Sequence, residues 1–144
     1  MRATSAGLSP GILPASGTKW WFSESRWVEQ QLGRPVIKVF NNIYAEHLAK
    51  NGKPPGAQGR IALPVAGDNA KAKAVEMELV SDMGFDAVDA GGLDESWRQQ
   101  PATPVYTGDL DIAGVREALR KATRERKPEW RATPESPGSF EAPA

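Results

Sequence analysis

The residues best suited to chemistry stand where expected strands hand over to helices. Asn41 and Asn42 close the apolar run 36–40, at the strand end where open α/β sheets hold their ligands. Their carboxamides can hydrogen-bond a planar amide or a substrate carbonyl, or one of them can cap the helix that follows. Gly67, Asp68 and Asn69 sit at a second strand-to-helix turn. A helix N-terminus attracts an anion, but a carboxylate is a poor neighbour for a phosphate, so Asp68 reads as the N-cap. Asp86, Asp89, Asp94 and Glu95 bring carboxylates to a third strand. They can act as an acid–base pair or stand in solvated loop positions. Arg98 can bind an anionic group, and Trp97 can stack on a ring or pack on the sheet. His47, inside a helix between Glu46 and Leu48, reads as a surface or packing residue.

What the sequence lacks excludes other chemistries. None of the 144 residues is cysteine, which removes a disulfide framework, a thiolate metal site and a cysteine nucleophile. One histidine leaves no cluster for zinc, so no metal is expected. Neither G-x-G-x-x-G nor the Walker pattern G-x-x-x-x-G-K-[ST] occurs, and no nucleophile–base pair is marked by its spacing. Lys plus Arg and Asp plus Glu balance at 18 each, with no basic stripe for nucleic acid. No apolar run approaches the ~18 residues of a membrane span. Gly7, Pro10, Gly11 and Pro14 break up the start of the chain, which does not read as a signal peptide, and the cytoplasm is the expected compartment.

These residues need a scaffold, and the periodicity supplies one. Residues 25–32 read as a helix stopped by Gly33, with Trp27, Val28, Gln31 and Leu32 on one face. Residues 36–40, 61–66 and 85–90 are short apolar runs suited to strands covered on both faces. Pro64 cannot donate to a ladder, so it demotes the second run to an edge or marks a bulge. Residues 44–50 read as a helix. The strongest helix is 69–83, where Ala72, Val75, Leu79, Val80 and Met83 suggest one buried stripe and Gly84 ends it. Residues 93–106 read as a short helix plus loop, and Asp109 or Asp111 can cap a last helix running to about Arg124. The order is α-β-α-β-α-β-α, which implies a partial Rossmann-like three-layer α/β domain of about three parallel strands flanked by helices. It spans 23–126, between a disordered or unrelated segment 1–22 and a disordered Pro-rich tail 127–144. Trp20, Trp21 and Phe22 can plug a hydrophobic surface or belong to sticky disordered sequence.

Specific strings within that frame resemble a known family. Val36-Ile37-Lys38-Val39-Phe40-Asn41-Asn42-Ile43 is followed by Leu63-Pro64-Val65-Ala66-Gly67-Asp68, a long helix, and Gly84-Phe85-Asp86-Ala87-Val88-Asp89-Ala90-Gly91-Gly92-Leu93. In order and spacing this resembles the later part of the NADP-dependent oxidoreductases that act with the deazaflavin coenzyme F420. The string Glu95-Ser96-Trp97-Arg98-Gln99-Gln100-Pro101 looks like a bacterial subgroup of them. The resemblance runs over residues 23–106. It implies NADP as cofactor, a deazaflavin or flavin as hydride partner, and a role in holding two rings face to face. It places Asn41, Asn42 and Ile43 against the nicotinamide and partner ring, with Gly91 and Gly92 in the same crevice. It transfers no acid, base or nucleophile.

The family's phosphate-binding turn has no counterpart in this sequence. The expectation is therefore a truncated oxidoreductase domain, not competent alone. The alternative is a non-catalytic half-domain that completes its sheet by pairing with another chain, including a homodimer through an exposed sheet edge.

Overall fold

The computed structural model describes residues 23–124. Helix α1 spans Glu24–Leu32, α2 Ala45–Lys50, α3 Ala70–Asp82 and α4 Ile112–Lys121. The strands are β1, Ala62–Val65, and β2, Asp86–Asp89, and a 3₁₀ helix covers Leu93–Gln99. Expectations for 1–22 and 127–144 fall outside the described residues.

The two strands pair in parallel, with Ala62 opposite Asp86 and Val65 opposite Asp89, and α3 makes the crossover between them. Side chains alternate across the sheet as the strand period requires. Leu63 and Val65 point to one face, where Val80 of α3, Ile43, Ile61 and Phe85 bury with them. Ala62 and Val88 point to the other, against Val115, Ala118 and Leu119 of α4. Helices thus cover both faces of a mixed α/β fold.

The expected first strand is a correction. Residues 36–40 make one antiparallel bridge, Lys38 with Ala66, so the described sheet has two strands and not three parallel ones. Two residues stop the ladder. The next hydrogen-bonded pair in that antiparallel register would be Phe40 with Pro64, and proline has no N–H to give. Phe40 itself turns to φ 66, which ends the extended run. Pro64 accordingly lies on the side of β1 that faces away from β2. Ile61 and Val65 give their carbonyls to Asp86 and Ala90 of the β2 segment, whereas the Pro64 carbonyl accepts from Gln99 Nε2 at 3.3 Å. The edge role expected of a strand proline is the one it has.

Two details of α3 also differ. Asn69, not Asp68, is the N-cap, its side chain accepting from Ala72 N–H. An Asn at that position satisfies an orphan donor as well as an Asp would, and this frees Asp68 for another donor. The buried face is rotated as well. Val80 is buried and Met77 packs on the core, but Val75, Leu79 and Met83 are 64%, 45% and 40% exposed. The helix follows the sheet through Lys73, Met77 and Val80, a set with the same period as the expected one.

Other expectations agree. Gly33 closes α1 at φ 62 and Asp111 caps α4, while the N-cap of α1, Ser23, is a further finding. The apolar face expected of α1 is a correction: none of its residues is fully buried, and Val28 and Leu32 are exposed. Gly84 ends the α3 segment at φ 97, and a Cβ there would lie 2.7 Å from Gly52 Cα.

Candidate functional site

The expected site residues fall at opposite ends of β1. Gly91 and Gly92 lie beyond the C-terminal ends of the strands, where Gly67 N–H donates to Gly91 O at 3.0 Å. The bridge of Lys38 with Ala66 is antiparallel, so the chain after Lys38 runs back toward the start of β1. Asn42 O accepts from Thr107 N–H at 2.7 Å, near where Ala62 N–H donates to Leu110 O. At about 3.3 Å per residue, the length of β1 separates the two groups by roughly 13 Å. The structure brings Asn41, Asn42 and Ile43 together and Gly91 and Gly92 together, but not the one group with the other.

At the first end, Asp68 organises the contacts. Its Oδ1 accepts from Leu93 N–H at 2.9 Å, at the start of the 3₁₀ helix. Its Oδ2 lies 2.8 Å from Arg26 Nη2 on α1. The Leu93 N–H, with Arg26 behind it, holds the Asp68 carboxyl below the usual carboxylate range. Arg26 also donates from Nε to Asp94 Oδ1 at 2.8 Å and pairs with Glu29. These acidic partners, Asp94 foremost, push the Arg26 guanidinium up. Alongside, Lys73 Nζ reaches Asp89 Oδ1 at 2.8 Å and Gly91 O at 3.2 Å. Burial pushes the Asp89 carboxyl up, but Lys73 and the Gly91 N–H outweigh it and leave it lowered.

A dinucleotide's pyrophosphate needs free N–H donors and positive field. Here the Leu93 N–H is taken by Asp68, and Asp68, Asp89 and Asp94 supply negative charge. The Cβ that any other residue would add at Gly92 would come 3.0 Å from Asp68 Oδ1, so the glycine makes room for a carboxylate. These residues do not fit a pyrophosphate.

At the second end the chemistry is neutral and carboxamide-rich. Asn41 Nδ2 donates to Gln99 O at 2.7 Å, and Gln99 Nε2 donates back to Asn41 Oδ1 at 3.2 Å. Gln99 is fully buried, and its Nε2 also faces Lys38 O at 3.4 Å and Pro64 O at 3.3 Å. Rotating the amide would set Oε1 against three acceptors, so the network fixes its orientation. Gln99 Oε1 and Asn42 Oδ1 are both buried without a hydrogen-bond partner. Ile43 belongs to the apolar core. Both acceptors are enclosed, so the N–H of a planar amide would reach them only if the surrounding chain opened.

Nearby, His47 Nδ1 lies 2.6 Å from Asp109 Oδ2, and the edge of the Tyr44 ring meets the imidazole at a centroid distance of 5.2 Å. The approach is close, but His47 Nδ1 makes no aligned hydrogen bond, so the pair is a polar contact and not a directed dyad. Asp109 also lines an open depression of about 440 Å³ with Lys50, Lys53 and Ile61. Trp97 is flanked by the guanidinium groups of Arg98 and Arg124, 4.4 and 4.5 Å from its ring centre. That occupies the ring otherwise available for stacking.

Sequence reasoning missed Arg26 and the hub role of Gln99. Arg26 meets Asp68 and Asp94 across 42 and 68 positions, and Gln99 meets Pro64, Asn41 and Lys38 across 35, 58 and 61, and no local spacing encodes such contacts. Among the described residues no group of three His, Cys, Asp or Glu is placed to hold a metal ion. Nor is any described helix long and apolar enough to cross a membrane.

No protein-family model matches the chain, and no solved structure matches it. It is 48% identical over 99 residues to the protein YjhV of Escherichia coli (strain K12). The match covers 69% of this chain and 63% of that protein, so the chain spans less than two thirds of its relative's length.

Proposed function

We propose that this chain carries the later part of an NADP-linked oxidoreductase domain of the F420-dependent kind, supplying a wall of the site and not its phosphate cradle. One observation carries the reading most: the parallel β1–α3–β2 unit, closed at its C-terminal end by the Gly67–Gly91 backbone bond. This is the unit from which nucleotide-binding sheets are built. Gln99 Oε1 and Asn42 Oδ1 are acceptors without partners, which a ligand carboxamide would reach only if the chain around them opened. The missing glycine turn and the carboxylates around Gly92 argue that the chain does not hold a dinucleotide unaided.

Titration of the purified chain with NADPH, read by nicotinamide fluorescence, tests this. The expected result is no saturation below about 1 mM. Micromolar binding overturns it.

A second reading, a half-domain that completes its sheet with another chain, rests on a separate observation. In the β1–β2 register, Asp86 and Ala90 of the β2 segment face β1. Ala87 and Asp89 therefore turn their backbone groups outward, where no hydrogen bond takes them up among the described residues. Hydrogen exchange tests it. Slow exchange at Ala87 and Asp89 supports a paired edge, and exchange at the intrinsic rate rejects it.

A further inference from the structure

The apolar stripe of α3 that the sheet leaves uncovered has a charge pattern that names its partner. Ala72, Val75, Leu79 and Met83 recur at intervals of three and four residues and are all exposed. At 100° per residue they form one line about a third of a turn from the buried line of Lys73, Met77 and Val80. Val75 is nearly two-thirds exposed although valine has little to gain from solvent. Along one flank of this stripe stand Lys71 near the helix start and Glu78 and Asp82 toward its end. None of the three makes an ion pair among the described residues; the ion pairs of α3 run through Lys73 alone.

We propose that α3 packs antiparallel against α3 of a second copy of this chain. A twofold axis beside Met77 sets Val75 of each copy against Leu79 of the other. The same operation sets Lys71 at nearly the height of Asp82 of the second copy, on the same flank, so two opposite-charge pairs close the ends of the contact. A parallel arrangement would put the charged flanks of the two copies on opposite sides of the contact, where Lys71 meets neither Asp82 nor Glu78 of the other copy. Glu78 opposes its own counterpart near the axis, and this holds the association weak. Thirteen residues give about 20 Å of helix, and an interface of that length fits a dissociation constant in the micromolar range or above. The inference is independent of any nucleotide role, since it uses no residue of either candidate site.

Analytical ultracentrifugation of the full chain over a concentration series tests it. The expected result is a monomer–dimer equilibrium. Leu79→Lys should weaken it at least about tenfold, with circular dichroism and melting unchanged because Leu79 is already exposed. Lys71→Glu alone should weaken it severalfold, and Lys71→Glu combined with Asp82→Lys should restore it. That rescue separates the α3 contact from pairing through the β2 edge, which none of these substitutions touches. A monomer at about 0.5 mM overturns the proposal, as does a dimer indifferent to Leu79→Lys. If a dimer appears only when Trp20, Trp21 and Phe22 are all changed to serine, the chain's own N-terminal segment is the occupant, which also overturns it.

Discussion

Asp68 and Arg26 lie 2.8 Å apart, and this pair joins the first helix to the C-terminal end of the sheet. Helix α1 contributes no fully buried residue, so polar contacts hold it. Beside Arg26 these are Ser23 Oγ donating to Leu93 O at 3.0 Å and Glu24 N–H donating to Gln100 Oε1 at 3.4 Å. Asp68 is half exposed, so water screens its pairing with Arg26, and its bond from Leu93 N–H matters more.

The prediction is that Asp68→Ala costs roughly 1–2 kcal/mol of stability and Asp68→Asn, which keeps an acceptor for Leu93, costs less. The pH dependence follows from the lowered carboxyl. A depressed carboxyl contributes stability that is fully present above its unfolded value, near 4, and is lost as pH falls through the lower folded value. Urea denaturation at pH 7 and pH 3 should show a smaller loss for Asp68→Asn than for the parent chain. Equal losses would remove Asp68 from the account.

Gln99 should be the least replaceable polar residue described. Its amide nitrogen serves Pro64 O, Lys38 O and Asn41 Oδ1 on the side where the ladder stops. Gln99→Glu would set a buried carboxylate against those acceptors and should cost about 3 kcal/mol or more at pH 7. Gln99→Leu removes the donor without adding charge and should cost less, about 1–3 kcal/mol. Thermal melts should rank the parent, the leucine variant and the glutamate variant in that order. Lowering the pH to 5 should narrow the gap between the last two, because the glutamate protonates.

The contrast between α4 and residues 36–40 explains how much the sequence disclosed. Asp111 bonds Gly114 N–H three residues on, and Val115, Ala118 and Leu119 meet the sheet at helical spacing. Each of those relations is local, so composition and period reveal it. The same holds for β1, β2 and the glycines after α1 and α3. Direction is another matter. An apolar run at 36–40 has the same composition whether it runs with or against its neighbour, and only the Lys38–Ala66 bridge decides. The face of α3 was ambiguous for a related reason: two apolar lines with one period lie on the same helix, and tertiary contact selects between them. For the candidate site, the carboxamides of Asn41 and Asn42 were visible as residues. Their partner Gln99, 58 positions from Asn41, was not.

Lys38 pays a desolvation cost that substitution should remove. Its side chain is 8% exposed, and its charge has Glu24 Oε2 at 3.7 Å as its ion partner. Burial pushes the ammonium down despite that carboxylate. Between the folded and the ordinary lysine value the unfolded chain binds more protons, so stability rises with pH across that window. Lys38→Met keeps the aliphatic stem and the backbone bridge to Ala66. It should raise stability at pH 7 by on the order of 1 kcal/mol. The gain should shrink as pH rises toward 10, because the parent sheds the charge there. A methionine variant less stable at pH 7 would mean that the Glu24 contact outweighs burial.

Two backbone positions with positive φ should respond in opposite senses. Thr107 holds φ 58, a conformation that a β-branched residue adopts only under constraint, and its N–H bond to Asn42 O supplies the constraint. Thr107→Asn keeps the N–H and tolerates that conformation far better, so it should stabilise by about 1 kcal/mol. Gly84 at φ 97 leaves no such room. A Cβ would stand 2.7 Å from Gly52 Cα and 2.8 Å from Lys53 N, both backbone atoms that cannot swing aside. The Lys53 N–H bond to Gly84 O, 2.9 Å long, would have to open. Gly84→Ala should therefore cost about 3 kcal/mol or more, combining the strained φ with a lost backbone bond. Paired urea melts of the two variants decide both points. Equal and small shifts would mean that the α3–β2 turn and the loop before α4 relax freely, contrary to the close approach of Gly84 to Gly52.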